Sequence, residues 1–426
     1  MPKVRIFELD KMIEKIKMIS KNKEMKVLME NFISLFSLQI IGMCLPLITL
    51  PYVLRVLELS NYGIIVLASS LINYFIAITD YSFKITATRD VAVFKNSPQK
   101  LNLIYSKVLI VKGILLLISI VVISLIVLLY EPFYKERLIF FLTMPMLFGY
   151  VIFPEWFFQG IEKMKYITFL NLGIKVFFTL GVFLFITKKE DYWVYPLLQS
   201  LGFIVSGIIA QFILVKKYKL KFFMLKRQMI KQAFIVNYPV FTNQFLPTLY
   251  NNTSTFMLGI MANSLTLGLY DAIKRIIDLG VMFINILSRV FFPYLNRNKN
   301  AFESYKKLML ISGLTLTLLP IIFSKLIFFY LNIKSEDSFE ILVILCLGIF
   351  FVSLYDIFGV NYFIIKREDK IVMRNTVFAS LLGFVLSFPL ISYFGIIGAS
   401  VNLTFTRGLM GGGLLYKYIG HKNKIK

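Results

Sequence analysis

Apolar runs of about 20 residues, the length that crosses a bilayer as one helix, recur along the chain with short polar links between them. Twelve runs are read, over residues 32–54, 63–83, 108–130, 138–158, 166–187, 192–215, 235–261, 265–293, 308–330, 338–361, 371–393 and 396–416. Links this short join antiparallel neighbours. The pattern predicts an all-α integral membrane protein built as a helical bundle.

Two stretches carry a different pattern. In residues 1–26, Ile6, Leu9, Ile13 and Ile16 share one helical face, with lysines elsewhere. In the central link, residues 218–234, Leu220, Phe223, Ile230 and Phe234 alternate with Lys219, Lys221, Lys226, Arg227 and Lys231. Both are expected to lie as amphipathic helices on anionic lipid, one as a topology anchor and the other as a linker between domains. Residues 1–26 have neither the apolar core nor the small-residue cleavage site of a signal peptide. The link divides the twelve runs six and six. This predicts one lobe over residues 27–217, a second over 235–418 and a basic tail over 419–426.

Composition then removes whole classes of function. Of 426 residues, 58% are hydrophobic and 16% charged, and the mean hydropathy is +0.75. A soluble domain is nearer 45–50% apolar and 25% charged. Lys and Arg number 47 against 23 Asp and Glu, a formal charge of +24. Such a balance can mark a nucleic-acid binder, but the hydropathy speaks against it. Position explains the charge better. The alternate links and ends that include both termini hold 34 of the basic residues, the opposite links 6, and the runs themselves 7. Lys and Arg favour the cytoplasmic side, so both termini are expected there.

The two halves show hints of repetition. Gln39 and Gln244, and Gly63 and Gly268, stand at equal separations. Runs one and seven each carry two prolines, Pro46 with Pro51 and Pro239 with Pro247. Helices broken at corresponding places in two repeats point towards a transport site.

Polar residues inside the runs fall in stripes. Asp271, Arg275, Asp278, Asn285 and Arg289 recur every three or four residues and so share a helix face. Ser69, Asn73, Asp80 and Lys84 form a similar line, and Asn237, Gln244, Thr248, Asn251 and Thr255 another. Asn171 and Lys175 lie one turn apart, while Lys112, Lys325, Asp356 and Arg407 are isolated. Ionisable groups at this depth need a partner or water. A hydrated central cavity lined from both halves is expected, against the simpler alternative that Asp271, Arg275 and Asp278 neutralise one another along one helix.

Enzymatic readings find little support. Cys44 and Cys346 both sit in apolar runs, and the single histidine, His421, lies near the C-terminus. That excludes a histidine-based triad or zinc site. There is no phosphate-cradling glycine loop and no polar stretch long enough to fold alone. The acids inside the runs could take up a proton or bind a cation, and no nucleic-acid partner is expected.

Four stretches resemble the bacterial polysaccharide flippases, the O-antigen (Wzx-type) members of the multidrug/oligosaccharidyl-lipid/polysaccharide (MOP) superfamily. They are LPLITLPYVLRVLELSNYG from Leu45 to Gly63, DYSFKITATRDVA from Asp80 to Ala92, PEWFFQGIEKMKYIT from Pro154 to Thr168, and GLYDAIKRI from Gly268 to Ile276, followed by FFPYLNR. The resemblance implies a MATE-like arrangement of two six-helix lobes around a central cavity. It implies transfer of an undecaprenyl-pyrophosphate-linked oligosaccharide to the outer leaflet by alternating access, for O-antigen or capsule synthesis. Membrane lipids, a polymerase and glycosyltransferases would be its partners.

A pyrophosphate favours cations, guanidinium above all because it binds phosphate oxygens bidentately. The candidates are Arg275, Arg289, Arg407, Lys112 and Lys175 in the cavity, with Arg55 at release on the outer side. Asn73, Gln244 and Asn251 are expected to meet sugar, and Asp80, Asp271, Asp278 and Asp356 to couple an ion or proton. Arg89 and Glu155 are read first as loop supports. The alternatives are a MATE-like drug or cation antiporter and, in another class, a polymerase or ligase of the same pathway. The first should have an acidic, aromatic cavity, and the second a large outer loop.

Overall fold

The computed structural model describes residues 23–335 and 337–425. Of the expected amphipathic segment 1–26, all but the last four positions lie outside them. Every regular element among the described residues is helical. A bilayer offers backbone groups no water, so a spanning segment satisfies its own N–H and C=O groups as a helix.

The chain opens with α1 (Lys23–Asp80), α2 (Phe83–Phe94) and α3 (Pro98–Leu129). Next come α4 (Glu131–Lys135), α5 (Arg137–Thr143), α6 (Pro145–Ile152), α7 (Glu155–Gly160), α8 (Met164–Phe185) and α9 (Val194–Lys216). After the central link follow α10 (Arg227–Met261), α11 (Ser264–Arg297), α12 (Phe302–Ile322), α13 (Ser324–Leu331) and α14 (Ser338–Leu354). A π-helical segment, Tyr355–Ile364, continues α14, and α15 (Asp369–Ile425) ends the described chain.

Among the described residues nine helical stretches are long and apolar enough to span a membrane. The twelve expected runs are not seen as twelve separate helices, for three reasons. First, α1 bends at Glu58 (φ 64°, ψ 163°) and α15 at Gly395 (φ 53°, ψ −125°), so each joins two expected runs. Glycine tolerates such a φ at no cost, whereas Glu58 carries strain. Second, the run at 138–158 is cut into α5, α6 and α7, with Pro145 and Pro154 at the joints. A proline has no N–H for the helix ladder and fits a first turn. Third, the run at 308–330 is divided at Phe323 into α12 and α13, while α10, a single helix over the seventh run, is rich in Asn, Gln and Thr.

Two other expectations change. Pro46, Pro51, Pro239 and Pro247 lie within continuous helix rather than at breaks. The central link is not helical over residues 219–226. Side chains of α3 explain this. The Lys221 N–H donates to Asn102 Oδ1 (2.9 Å) and the Phe223 N–H to Ser106 Oγ (3.1 Å), so the link need not coil to satisfy its backbone.

Residues before and after the link meet mainly through α1, against α10 and α11. The closest approach is at Gly63 and Gly268. A Cβ on Gly63 would collide with the Ser264 carbonyl oxygen, and one on Gly268 with that of Leu59. The two glycines noted for their sequence spacing are thus the point where the backbones cross. Leu57, Tyr62 and Ile65 pack there with Leu267, Tyr270 and Ile273 in one apolar core. A smaller core gathers Phe83, Val91, Trp156, Phe157 and Phe158. Leu117, Leu125 and Leu129 on α3, with Leu180 and Leu184 on α8, stay exposed, as lipid-facing residues do.

Gly63→Ala is expected to cost about 1–3 kcal/mol through overpacking, read as a lower unfolding temperature in detergent. Gly113→Ala, where an added Cβ meets nothing within 4 Å, should be neutral or stabilising.

Candidate functional site

Five neighbouring cavities form the site, and several share lining residues. The N-terminal recess, about 190 Å³, lies between α1, α8 and α9, with Lys175 and Arg275 in its wall. Two recesses of about 370 Å³ each share Asp80, Lys84, Lys112, Tyr150 and Glu155. One of them also reaches Lys175, and the other Asn73, Thr248 and Asn252. A recess of about 180 Å³ adds Gln244. The last, about 440 Å³, is formed by α10, α11 and α15 and lined by Asn251, Asn252, Lys274, Asp278, Asn285, Arg289 and Arg407 among others.

Ion pairs organise the charges. Lys112 Nζ donates to Asp80 Oδ1 at 2.7 Å, joining α3 to α1, and Lys112 is only 3% exposed. Lys84 pairs with Glu155 at 2.9 Å, joining α2 to α7. On α11, Lys274 and Asp278 pair one turn apart at 2.8 Å, while Arg407 on α15 donates to the other oxygen of Asp278 at 3.0 Å. The Arg407 side chain lies along Gly348, where a Cβ would come within 3.1 Å of it. Arg275 Nε donates to Asp271 Oδ2 at 2.8 Å. Neutralisation along one helix and cavity lining, weighed as alternatives, therefore coexist in the α11 stripe.

Asp271 has a second partner. The Tyr62 hydroxyl donates to the same Oδ2 at 2.6 Å, beside the Gly63–Gly268 crossing. Arg275 lies 5.5 Å above the Tyr62 ring. One carboxylate thus links the crossing between α1 and α11 to a guanidinium that faces the N-terminal recess. Tyr62 was not singled out from sequence, because a neutral tyrosine beside a glycine carries no charge signal. Thr49, Tyr195 and Gln199 in the wall of the same recess were missed for the same reason.

Two cavity cations have no carboxylate within 4.0 Å among the described residues. They are Lys175, whose amine packs against Gly42, and Arg289. The walls of the five recesses hold seven cations, Lys84, Lys112, Lys175, Lys274, Arg275, Arg289 and Arg407. Their acids there are Asp80, Glu155 and Asp278, with Asp271 behind Arg275. The site is cationic.

Three predicted residues lie elsewhere. Arg55 is exposed and lines none of the five recesses. Asp271 is buried behind Arg275. Asp356 is 4% exposed, in the π-helical segment, and its Oδ2 has no hydrogen-bond partner. Asn361 lies next to it and donates to Ser288 Oγ (2.8 Å), Tyr305 Oη (2.7 Å) and the Asp356 carbonyl (3.1 Å). Arg89 is exposed, with Asp90 4.0 Å away. The PEWFFQG stretch is a packing element. Trp156, Phe157 and Phe158 are buried, Thr88 donates to the Trp156 carbonyl at 3.2 Å, and Gly160 lets α2 approach α7.

The sequence profile of a family described as polysaccharide biosynthesis protein matches residues 28–299. A protein of Escherichia coli named "Putative O-antigen transporter" is 27% identical over 392 residues, covering 90% of this chain and 94% of its own. The capsular polysaccharide biosynthesis protein CapF of Staphylococcus aureus is 22% identical over 273 residues, covering 59% and 69%. Among solved structures, an inward closed form of the lipid II flippase MurJ superposes with a TM-score of 0.67 at 15% identity, covering 92% of this chain and 87% of that one. An inward-facing multidrug resistance MATE family transporter of the MOP superfamily gives 0.66 at 14%, covering 88% and 94%. The fold is that of this superfamily.

Asp80→Asn should strand the buried Lys112 and cost about 3 kcal/mol, since breaking a buried pair from one side leaves an uncompensated charge. Thermal unfolding in detergent checks this, and Asp80→Asn with Lys112→Met should recover most of the loss.

Proposed function

The chain belongs to the polysaccharide biosynthesis protein family, and on that premise we propose that it is a flippase for a lipid-linked oligosaccharide. Polysaccharide transport is its business; it is not an enzyme. The cargo proposed is an undecaprenyl-pyrophosphate-linked repeat unit for an O-antigen or capsule, moved from the cytoplasmic to the outer leaflet by alternating access. The observation that carries the reading is the cationic site in which Lys175, with no carboxylate within 4.0 Å among the described residues, shares one recess wall with Arg275. A pyrophosphate needs more than one cation, and Arg275 keeps guanidinium nitrogens beyond the Nε that Asp271 uses.

In this reading Lys175 and Arg275 hold the pyrophosphate. Lys112 and Arg407 set the local charge while tied to Asp80 and Asp278. Asn73, Gln244 and Asn251 offer amides to sugar hydroxyls. Proton or sodium coupling is assigned to Asp80, Asp271, Asp278 and Asp356, and Arg55 to release. No cofactor is required. The protein is multi-pass in the bacterial inner membrane, with both termini cytoplasmic by the distribution of Lys and Arg. A polymerase and glycosyltransferases would be its pathway partners. A cationic wall repels a cationic drug, which disfavours the antiporter reading.

Deleting the gene should leave the lipid-linked sugar on the cytoplasmic leaflet, probed with a membrane-impermeant sugar-oxidising reagent. Lys175→Ala and Arg275→Ala should each lower surface polysaccharide about tenfold or more, the loss expected for a charge-assisted hydrogen bond, while Arg275→Lys retains part. Full display in both alanine variants would remove the pyrophosphate role.

A further inference from the structure

We propose that the link between the two halves is a docking surface for anionic phospholipid, with Phe222, Phe223 and Met224 as its apolar wedge. The occupant is lipid of the surrounding leaflet, whatever the cargo is.

The fold sets the link at the level where apolar surface gives way to charge. On α9, Phe212 and Val215 are exposed as lipid-facing residues, and Lys216 and Lys217 follow at once. Beyond Lys231, Ile235 and Val236 of α10 are exposed again. Such a boundary marks the headgroup region of a bilayer. The link is also fastened there. Leu220 is buried in the smaller core, and Asn102 and Ser106 of α3 accept the Lys221 and Phe223 N–H groups. Lys219 turns the chain off α9 at φ 54°, where a glycine would rest without strain.

All seven cations from Lys216 to Lys231 are exposed, and no acid occurs between Asp191 and Asp271. Tertiary packing adds four more. Gly160 seats α7 against Val91 and Thr88 of α2, so the turns that follow these two helices lie at one end of the bundle. Tyr218 of the link packs edge-on against Phe157 of α7, with ring centres 5.1 Å apart, which places the link at the same end. Lys95, Lys100, Lys163 and Lys165 are exposed at these turns. The acids nearby in the chain are Asp90, which Lys107 holds at 3.2 Å, and Glu162. A polybasic surface beside a leaflet attracts anionic lipid, at about fivefold in affinity per cation.

Phe222, Phe223 and Met224 stand amid these cations and are 49%, 42% and 83% exposed. An acidic protein surface would answer the lysines and leave three large apolar side chains in water. A phospholipid answers both, its phosphate the cations and its acyl chain the wedge. Lysine stems lie along apolar surface while their amines reach the headgroups. Lipid held here braces the segment from which α10 sets out.

The test uses the full-length protein in a neutral detergent, with bound lipid counted by native mass spectrometry. The probes are dioleoyl phosphatidylglycerol, dioleoyl phosphatidylcholine and, as the free headgroup, glycerol phosphate. Phosphatidylglycerol should bind about tenfold more tightly than phosphatidylcholine. Combining Lys219→Gln, Lys221→Gln, Lys226→Gln and Arg227→Gln should abolish that preference. Combining Lys366→Gln, Arg367→Gln and Lys370→Gln, three exposed cations beside the start of α15, should preserve it. Phe222→Ser with Met224→Ser should weaken both lipids alike. Unchanged unfolding temperatures establish that the variants are folded. Equal binding of the two lipids overturns the proposal and leaves the basic surface to an acidic protein. Displacement of phosphatidylglycerol by glycerol phosphate overturns it in favour of a plain phosphate site. It also fails if the link variant keeps the preference, if the variant beside α15 loses it as fully, or if the serine pair changes neither lipid.

Discussion

A charge inside a bilayer must find either an opposite charge or water, and that constraint organises this molecule. The cations on the spanning helices outnumber the acids, so the acids decide the packing. Asp80 draws α3 to α1 through Lys112. Asp278 draws α15 to α11 through Arg407 while holding Lys274 of its own helix. Once those pairs are made, Lys175 and Arg289 remain over among the described cations of the recess walls. A packed apolar interior would not hold them. The cavities are where the surplus charge is tolerated, and the same surplus makes them attractive to an anionic cargo.

The Gly63–Gly268 crossing works together with this electrostatics. Only residues without a Cβ let α1 and α11 come so close. That closeness brings the Tyr62 hydroxyl onto Asp271, which also holds Arg275. Any motion that parts α1 from α11 here breaks the Tyr62–Asp271 bond and changes the setting of a guanidinium in the recess wall. The Asp271 carboxylate thus ties the contact between the helices to the guanidinium proposed to hold pyrophosphate.

The stretches that look most distinctive in sequence do not all contact the site. In PEWFFQG the aromatic residues and Gly160 fasten α7 to α2, and of its residues Glu155, paired with Lys84, and Trp156 reach a recess wall. Its distinctiveness comes from packing density, where a change of one methylene is felt. By contrast, Arg289 and Lys175 lie outside the four matched stretches, though the polar spacing of their helices makes them candidates. What marks them is the lack of a partner, a property of three-dimensional neighbours.

The apolar runs, the surplus of basic residues in alternate links and the charged spacing on α11 are one-dimensional signals, and they were legible because helix period and bilayer thickness are fixed lengths. From them came the helical membrane fold, the polar face of α11 and the candidate residues. The prolines do not break their helices: α1 runs uninterrupted through Pro46 and Pro51, and α10 through Pro239 and Pro247. The amphipathic link is helical only from Arg227 onward; over residues 219–226 Asn102 and Ser106 of α3 take two of its N–H groups instead. Which cations are spent and which are free was undecided in the sequence. Pairing depends on which helices touch, and only the folded chain sets Arg407 against Asp278, Lys112 against Asp80, and leaves Lys175 and Arg289 with no carboxylate within 4.0 Å among the described residues.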